Sequence, residues 1–209
     1  MPKIKMPKSS PSLDMTPMVD LAFLLVTFFM LTAQFRPEEA VAVDTPSSMS
    51  QSPIPTENLM TIIVDSTGRV FWDFTDKKVR TEVIKQLAAK YNLQLTEDQV
   101  TRFTNLNAIG IRAEQLPQYL DLNSPTERKE MDRASRGIPL DSANNQLFTW
   151  ISITQQIFSK EATRNPLVAL KGDGNVNYST INQVIKTFQS PGIKINRFKM
   201  ITDLEETRM

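Results

Sequence analysis

The chain has 209 residues, with 24 basic and 23 acidic side chains and a formal net charge of +1. This length suits one ordinary domain, or a small domain with additional segments. The balanced charge provides no broad basic surface of the kind that binds nucleic acid. Cysteine and histidine are both absent, which excludes disulfides and the catalytic and zinc-binding groups built on these residues. We therefore expect no cofactor, no metal and no nucleic-acid partner.

Carboxylates, Lys and Tyr are the groups left for proton chemistry. Pairs such as Asp65 with Asp73, or Asp173 with Asp203, resemble the two acids of a hydrolase, but two acids in a chain with 23 carry no specific signal. Glycine-rich phosphate-binding motifs do not occur in this chain of only 6 glycines. We expect no enzymatic activity.

Proline and glycine are distributed unevenly along the chain. Eight of the 13 prolines lie in the first 55 residues, and no glycine precedes Gly68. The sequence therefore divides into a short basic tail (1–14), an apolar segment (15–35), a Pro/Ser-rich linker (36–58) and a folded domain (59–209).

The apolar segment runs from Met15 to Phe35 with a few polar insertions. Its residues reach about 31 Å as a helix at ~1.5 Å per residue, enough to cross a bilayer. Lysines precede the segment, whereas acidic residues such as Glu38 and Glu39 follow it. The positive-inside rule then places the N-terminus in the cytoplasm and the rest of the chain outside. The alternative is a cleavable signal peptide, which Asp20 and the poor cleavage site before Gln34 disfavour.

Polar residues form a narrow stripe along this helix. At about 100° per residue, Thr16, Thr27 and Gln34 fall within roughly 40° of Asp20. An ionisable residue in a membrane helix usually faces a bundle interior or a water path. The chain has no second apolar segment of this kind, so the stripe needs helices from a partner.

Asp20 has two interpretations on physical grounds. A charge at mid-membrane costs ~2.5–3.5 kcal/mol, and protonation removes much of that cost, so the carboxyl could load a proton on one side and release it on the other. The membrane potential adds ~2.3 kcal/mol per charge per 100 mV. In the alternative, Asp20 is an interfacial carboxylate near the start of the helix, with Pro17 as a first-turn proline.

The linker carries four prolines and several serines. This composition packs no core, and 23 residues reach roughly 70 Å as polyproline II. We expect a tether that carries the domain away from the membrane, or an inert spacer.

The domain reads as an α+β fold. Two β-rich runs surround a hairpin signal at 65–68, Asp76 can cap a helix that runs to Tyr91, and helical spacing returns at 147–158. A strand at 167–171, a helix at 181–188 and a closing strand at 195–201 follow. The order is ββα–insert–βαβ, with helices on one face of a sheet.

Two other features of the domain have ordinary structural interpretations. The charge run Thr126–Arg136 is typical of a solvated face, or of a docking surface. Trp72 and Trp150 are expected to be core or rim aromatics.

The stretch Leu13–Thr32 closely resembles the signature of the ExbD/TolR family, in which a polar residue, Thr-Pro and a membrane-helix Asp follow a basic tail. Here these are Asp14, Thr16-Pro17 and Asp20. The resemblance implies that Asp20 corresponds to the family's proton-carrying aspartate, with Asp14 and Pro17 at the start of the helix. It also implies a ring of ExbB/TolQ-type membrane subunits around the helix, a TonB/TolA-type energy transducer as partner, and two copies of the chain per ring.

The resemblance extends to the domain, with one interruption. Residues 59–91 and 167–202 are similar to the family's periplasmic domain, including Ala169–Asp173 and Ile195–Phe198. Residues from about 95 to 165 depart from its short versions and look like an enlarged insertion.

The resemblance therefore implies a bacterial inner-membrane protein with one transmembrane helix, a cytoplasmic N-terminus and a periplasmic α+β domain. Its expected function is to couple the proton motive force to a TonB-type partner, with Asp20 carrying the proton. The alternative is an anchored or exported periplasmic binding or scaffold domain with a TolR-like envelope role and no proton transport.

Overall fold

The computed structural model describes residues 15–32, 43–48, 57–141, 144–161, 166–201 and 203–204. The chain divides into two units, Met1–Glu38 and Glu39–Met209. The described part of the first unit contains helix α1 (Thr16–Thr32). Within the described ranges, no helix has both the length and the hydropathy that crossing a membrane requires.

The second unit is a mixed α+β domain. Its strands are β1 (Ser47–Ser48), β2 (Leu59–Val64), β3 (Val70–Phe74), β4 (Leu140–Asp141), β5 (Asn144–Asn145), β6 (Leu167–Gly172), β7 (Lys199–Ile201) and β8 (Asp203–Leu204). Its α-helices are α2 (Lys77–Tyr91), α3 (Glu97–Asn105), α4 (Leu116–Asp121), α5 (Pro125–Ala134), α6 (Gln146–Glu161) and α7 (Tyr178–Phe188), and a short 3-10 helix precedes α4 at Ala113–Gln115.

Four strands form the main sheet in the order β3-β2-β6-β7. Strand β2 is antiparallel to β3 and parallel to β6, and β6 is parallel to β7. Met60, Ile62 and Val64 are buried on one face of β2, whereas the residues between them are partly exposed. This alternation is typical of a sheet that packs helices on one face. The predicted ββα and βαβ units are both present.

Local signals explain the turn between β2 and β3 and the two ends of α2. The Asp65–Gly68 turn is closed by a bond of 2.9 Å from Gly68 N–H to the Asp65 carbonyl, with φ +82° at the glycine. The Asp76 carboxylate accepts from Lys78 N–H at 2.8 Å and caps α2. Asn92 ends α2 in the left-handed region, with φ 53°.

The closing strand is shorter than the predicted 195–201. Lys194 has φ 53°, and Ile195 N–H donates to the Phe188 carbonyl at 2.9 Å. Phe198 packs edge-on against Phe188 with ring centroids 5.4 Å apart. Residues 195–198 are therefore held against the end of α7, and β7 begins only at Lys199.

The described part of the 95–165 segment contains helices α3, α4, α5 and α6 and packs against β3. Trp72 and Ile109 exchange backbone hydrogen bonds of 2.9 and 2.8 Å, so this segment pairs with the outer edge of β3. Trp150 of α6 lies 5.3 Å from Trp72 between ring centroids, and both side chains are fully buried. Both tryptophans are therefore core residues. The sequence predicts either the core or its rim for them.

Part of the predicted linker contacts the domain. Asp44 N–H donates to Asp173 Oδ2 at 3.2 Å, and the Asp44 carbonyl accepts from Gly174 N–H at 2.9 Å. Thr45 is buried, and β1 runs parallel to β8. Residues 36–42 and 49–56 of the predicted linker lie outside the described residues.

Candidate functional site

The residues predicted to form the polar stripe belong mainly to α1. This helix contains Thr16, Pro17, Asp20 and Thr27. Positions four and seven residues apart lie on one side of an α-helix, so the two threonines and the aspartate share a face. The other two predicted site residues, Asp14 and Gln34, lie outside the described residues.

Asp20 is the only ionisable residue in the sequence of α1. The apolar residues around it are strongly exposed in the single chain, from 50% for Val19 to 87% for Leu31. An exposed apolar surface of this extent usually marks a site of contact with a protein partner or a membrane.

The Thr27 side chain forms hydrogen bonds with the backbone of its own helix. Its hydroxyl is 2.9 Å from the Phe23 carbonyl and 3.0 Å from the Leu24 carbonyl. This back-bonding uses the single hydroxyl proton within the helix and leaves the oxygen lone pairs as acceptors. The hydroxyl can therefore accept a hydrogen bond from water on the Asp20 face.

A buried carboxyl in the domain was not expected from the sequence. Asp132 lies in the charge run 126–136, but only 5% of it is exposed. Its Oδ2 accepts from the Tyr119 hydroxyl at 3.0 Å, and its Oδ1 has no hydrogen-bond partner within the described part of the chain. Burial raises the pKa of Asp132 to about 6, and the Tyr119 bond and the charges of Arg69 and Arg128 act against that rise. The remaining α5 side chains are mostly exposed, as predicted.

Arg69 connects Asp132 to the hairpin of the sheet. Its Nη1 donates to the Asp132 carbonyl at 2.7 Å, and its Nε donates to Asp65 Oδ2 at 2.6 Å. Burial would raise the pKa of Asp65, but hydrogen bonds from Thr67 and Arg69 and the Arg69 charge together hold it below its usual value. The β2–β3 turn and α5 are thereby joined through one guanidinium.

Three of the four carboxylates considered as acid pairs have other partners in the structure. Asp65 binds Arg69, and Asp73 binds Arg80 at 2.6 Å, so each of these two carboxylates pairs with a cation. Asp173 closes its own turn by accepting from Asn175 N–H at 2.9 Å, and the Asp203 side chain lies outside the description. Among the residues that the structure describes, no group of three acidic side chains could hold a metal ion.

The fold defines a chain with an apolar helix that carries one carboxyl, joined to a mixed α+β domain. The family model for the biopolymer transport protein ExbD/TolR matches residues 6–202, and the chain belongs to this family. The match covers α1 and continues through the 95–165 segment. No curated protein and no solved structure matches the chain.

Family membership sets the general role of the chain. ExbD/TolR proteins are non-enzymatic accessory proteins of biopolymer transport whose role is linked to the proton motive force. They generally work with ExbB/TolQ and TonB/TolA partners and are typically anchored in the inner membrane.

Proposed function

We propose that this chain is the proton-carrying subunit of an ExbB–ExbD-type inner-membrane complex that drives a TonB-type partner. The observation that carries the proposal is the position of Asp20, a single carboxyl on an otherwise apolar α1, in a member of the ExbD/TolR family. A lone ionisable group at membrane depth is by default a functional site.

The proposed membrane segment is 15–35, longer than α1 itself. The 17 residues of α1 reach about 25 Å, and the longer segment reaches about 31 Å, which matches a hydrocarbon core of roughly 30 Å. Lys3, Lys5 and Lys8 keep the N-terminus in the cytoplasm, and the α+β domain then lies in the periplasm. A ring of ExbB/TolQ-type helices covers the exposed apolar surface of α1.

The proposed cycle uses the side chains of the stripe in different ways. Asp20 takes up a proton from one side, becomes neutral, and crosses to an environment that releases the proton to the other side. Thr16, Thr27 and Gln34 line the water path beside it. Pro17 and Asp14 shape the start of the helix, since a proline in the first turn removes no intrahelical hydrogen bond.

Two copies of the chain in one ring would place two Asp20 carboxyls in the same complex. Each protonation then changes the charge that one helix presents to the ring, and this change drives a rotation or displacement. The periplasmic domains transmit the movement to the TonB-type partner.

The test of this proposal is energy-dependent outer-membrane uptake in cells that carry Asp20→Asn. We expect complete loss of uptake, because the amide has nearly the shape of the carboxylate but cannot exchange a proton at neutral pH. Asp20→Glu keeps the carboxyl and should retain part of the activity. Thr27→Val, which removes the hydroxyl at similar volume, should lower the rate without abolishing it.

Membrane levels and co-purification with the ring subunit distinguish loss of function from loss of assembly. If Asp20→Asn is present, assembled and as active as the wild type, the proton-carrying role is wrong. The chain is then a membrane-anchored periplasmic scaffold with a TolR-like envelope role, and Asp20 is a residue of the helix start. Loss of residues 1–33 from the mature protein would instead identify an exported domain.

A further inference from the structure

A cleft of about 630 Å³ lies between the β2–β3 turn and the end of α5. Residues 67–69 of the turn line one part of it, and residues 133–136, which end α5 and continue beyond it, line the rest. We call this space the hairpin cleft. Its volume lies in the usual range of ligand-binding clefts.

The two sides of the hairpin cleft are fixed to each other by hydrogen bonds. The Arg69 Nη1 group on one side donates to the Asp132 carbonyl of α5 at 2.7 Å. Just beyond the cleft, Ile138 N–H donates to the Val70 carbonyl of β3 at 2.9 Å. A preformed cleft loses less conformational entropy when a ligand binds than a mobile loop does.

Two exposed arginines, Arg133 and Arg136, give the hairpin cleft its charge. Within the residues that the structure describes, neither forms a hydrogen bond or an ion pair, and the described lining includes no Asp or Glu. Asp65 and Asp132 both bind Arg69, but they are only 3% and 5% exposed. The helix dipole explains a cation at Arg133, in the last turn of α5, but not at Arg136, which lies beyond the helix.

The rest of the lining is small and mostly polar. Thr67, Gly68, Ala134 and Ser135 provide no aromatic or long aliphatic side chain. The Thr67 hydroxyl donates to Asp65 Oδ1 at 2.7 Å, so its oxygen remains as an acceptor for a hydroxyl group of a ligand. A ligand that fits this cleft is therefore anionic and carries hydroxyl groups.

We propose that the hairpin cleft binds the phosphate group of a small polyol or sugar, either as a free ester or as the headgroup of a lipid. A phosphate group suits two arginines because its oxygens can accept from two guanidinium groups, whereas one guanidinium fork already occupies both oxygens of a carboxylate. A hydroxyl of the polyol donates to Thr67. The proposal does not depend on proton transfer at Asp20.

The probe is glycerol 3-phosphate, titrated into the detergent-solubilised full chain and followed by isothermal calorimetry. We expect saturable binding that weakens as salt rises. Arg133→Gln and Arg136→Gln should each weaken it about tenfold, because each removes a charge-assisted hydrogen-bond donor. Ala134→Leu keeps both charges and should weaken it about fivefold, because the larger side chain occupies part of the cleft.

The matched control is Arg197→Gln, which removes the same charge at an exposed site outside the hairpin cleft. It should bind glycerol 3-phosphate as the wild type does. Urea unfolding of each variant shows whether the domain is intact.

The source of the phosphate group is tested with the full chain in nanodiscs of phosphatidylcholine, with or without phosphatidylglycerol. If phosphatidylglycerol weakens the binding of glycerol 3-phosphate by competition, the natural ligand is a lipid headgroup. Equal binding in both kinds of nanodisc assigns the cleft to a soluble ester.

The proposal is overturned if glycerol 3-phosphate does not bind, or if Arg136→Gln and Arg197→Gln weaken its binding equally. It is also overturned if a hexaglutamate peptide binds as tightly as glycerol 3-phosphate. That result would identify an acidic protein segment as the occupant of the cleft.

Discussion

Arg80 is a buried cation that joins the 95–165 segment to the sheet. It is 4% exposed, and its Nη1 lies 2.6 Å from Asp73 Oδ1. Its guanidinium also donates to the carbonyls of Phe74, Phe103, Leu106 and Asn107. Burial lowers the pKa of Arg80 and the Asp73 carboxylate opposes that change. The four N–H groups of the two terminal nitrogens serve five acceptors, so at least one N–H group is shared, and Nε has no hydrogen-bond partner within the described part of the chain.

Replacement of Arg80 should therefore destabilise the domain strongly. We expect Arg80→Met to lower the free energy of unfolding by about 3–5 kcal/mol, because it leaves buried carbonyls without donors. Trp72 and Phe103, whose rings lie 5.7 Å from the guanidinium, also lose a cation–π contact. Urea unfolding of the solubilised chain, followed by tryptophan fluorescence, measures the change. Lys85→Met at an exposed site should cost little, and a similarly small effect at Arg80 would contradict this role.

At the scale of elements, the contact between β3 and the 95–165 segment depends on one glycine. Next to the Trp72–Ile109 pair, Gly110 lies directly over the ring of Phe71. A Cβ added at Gly110 would lie 2.1 Å from Phe71 Cδ1, far inside van der Waals contact. The requirement for glycine here is steric, because the aromatic ring occupies the space of the side chain.

Gly110→Ala should accordingly lower the free energy of unfolding by about 1–3 kcal/mol, the usual cost of overpacking. In a Phe71→Ala background the added methyl group gains space, so the cost of Gly110→Ala should become smaller. The two single variants and the double variant form a mutant cycle measured by urea unfolding. Gly174→Ala is the control, since its nearest contact is the Asp44 carbonyl at 3.8 Å. A cycle with no coupling energy would show that Phe71 is not the obstacle.

The elements that the sequence predicts are those with local signals. Asp76 marks the start of α2, and a β-rich run before the hairpin signal marks β2. The shortened β7 could not be predicted, because it depends on the tertiary bond between Ile195 and Phe188. Burial of Asp132 also escaped prediction, since its partner Tyr119 is on another helix and its neighbours in sequence are charged. In α1 the sequence predicts that Thr16, Asp20 and Thr27 share one face of the helix.

At the scale of the whole domain, the buried carboxyls of Asp65 and Asp132 make stability depend on pH in opposite directions. The pKa of Asp132 is raised to about 6 by burial, whereas that of Asp65 is lowered by its bonds to Thr67 and Arg69, which outweigh burial. A raised pKa means that the folded state binds the proton of Asp132 more tightly than the unfolded chain does. Acid therefore stabilises the fold through Asp132 and destabilises it through Asp65, in different pH ranges.

We expect the free energy of unfolding to rise as the pH falls from 7 toward 4. In this range folded Asp132 is protonated before the unfolded chain is, and at 1.36 kcal/mol per pKa unit the total gain is about 2–3 kcal/mol. Below about pH 4 the stabilisation that Asp65 provides is lost, because Asp65 binds a proton more readily in the unfolded chain than in the folded domain. The stability of the domain should therefore pass through a maximum on the acid side of neutrality.

Urea unfolding of Asp132→Asn across the same pH range isolates the contribution of Asp132. The amide cannot titrate, so the unfolding free energy of the wild type should rise relative to that of the variant by about 2–3 kcal/mol between pH 7 and 4. The exposed residue Asp141 provides the control, and Asp141→Asn should follow the wild-type curve. If Asp132→Asn also runs parallel to the wild type, the carboxyl has the same proton affinity in the folded and unfolded states. Its burial beside Tyr119 would then be offset by water at the Oδ1 atom, and acid would act on the domain through Asp65 alone.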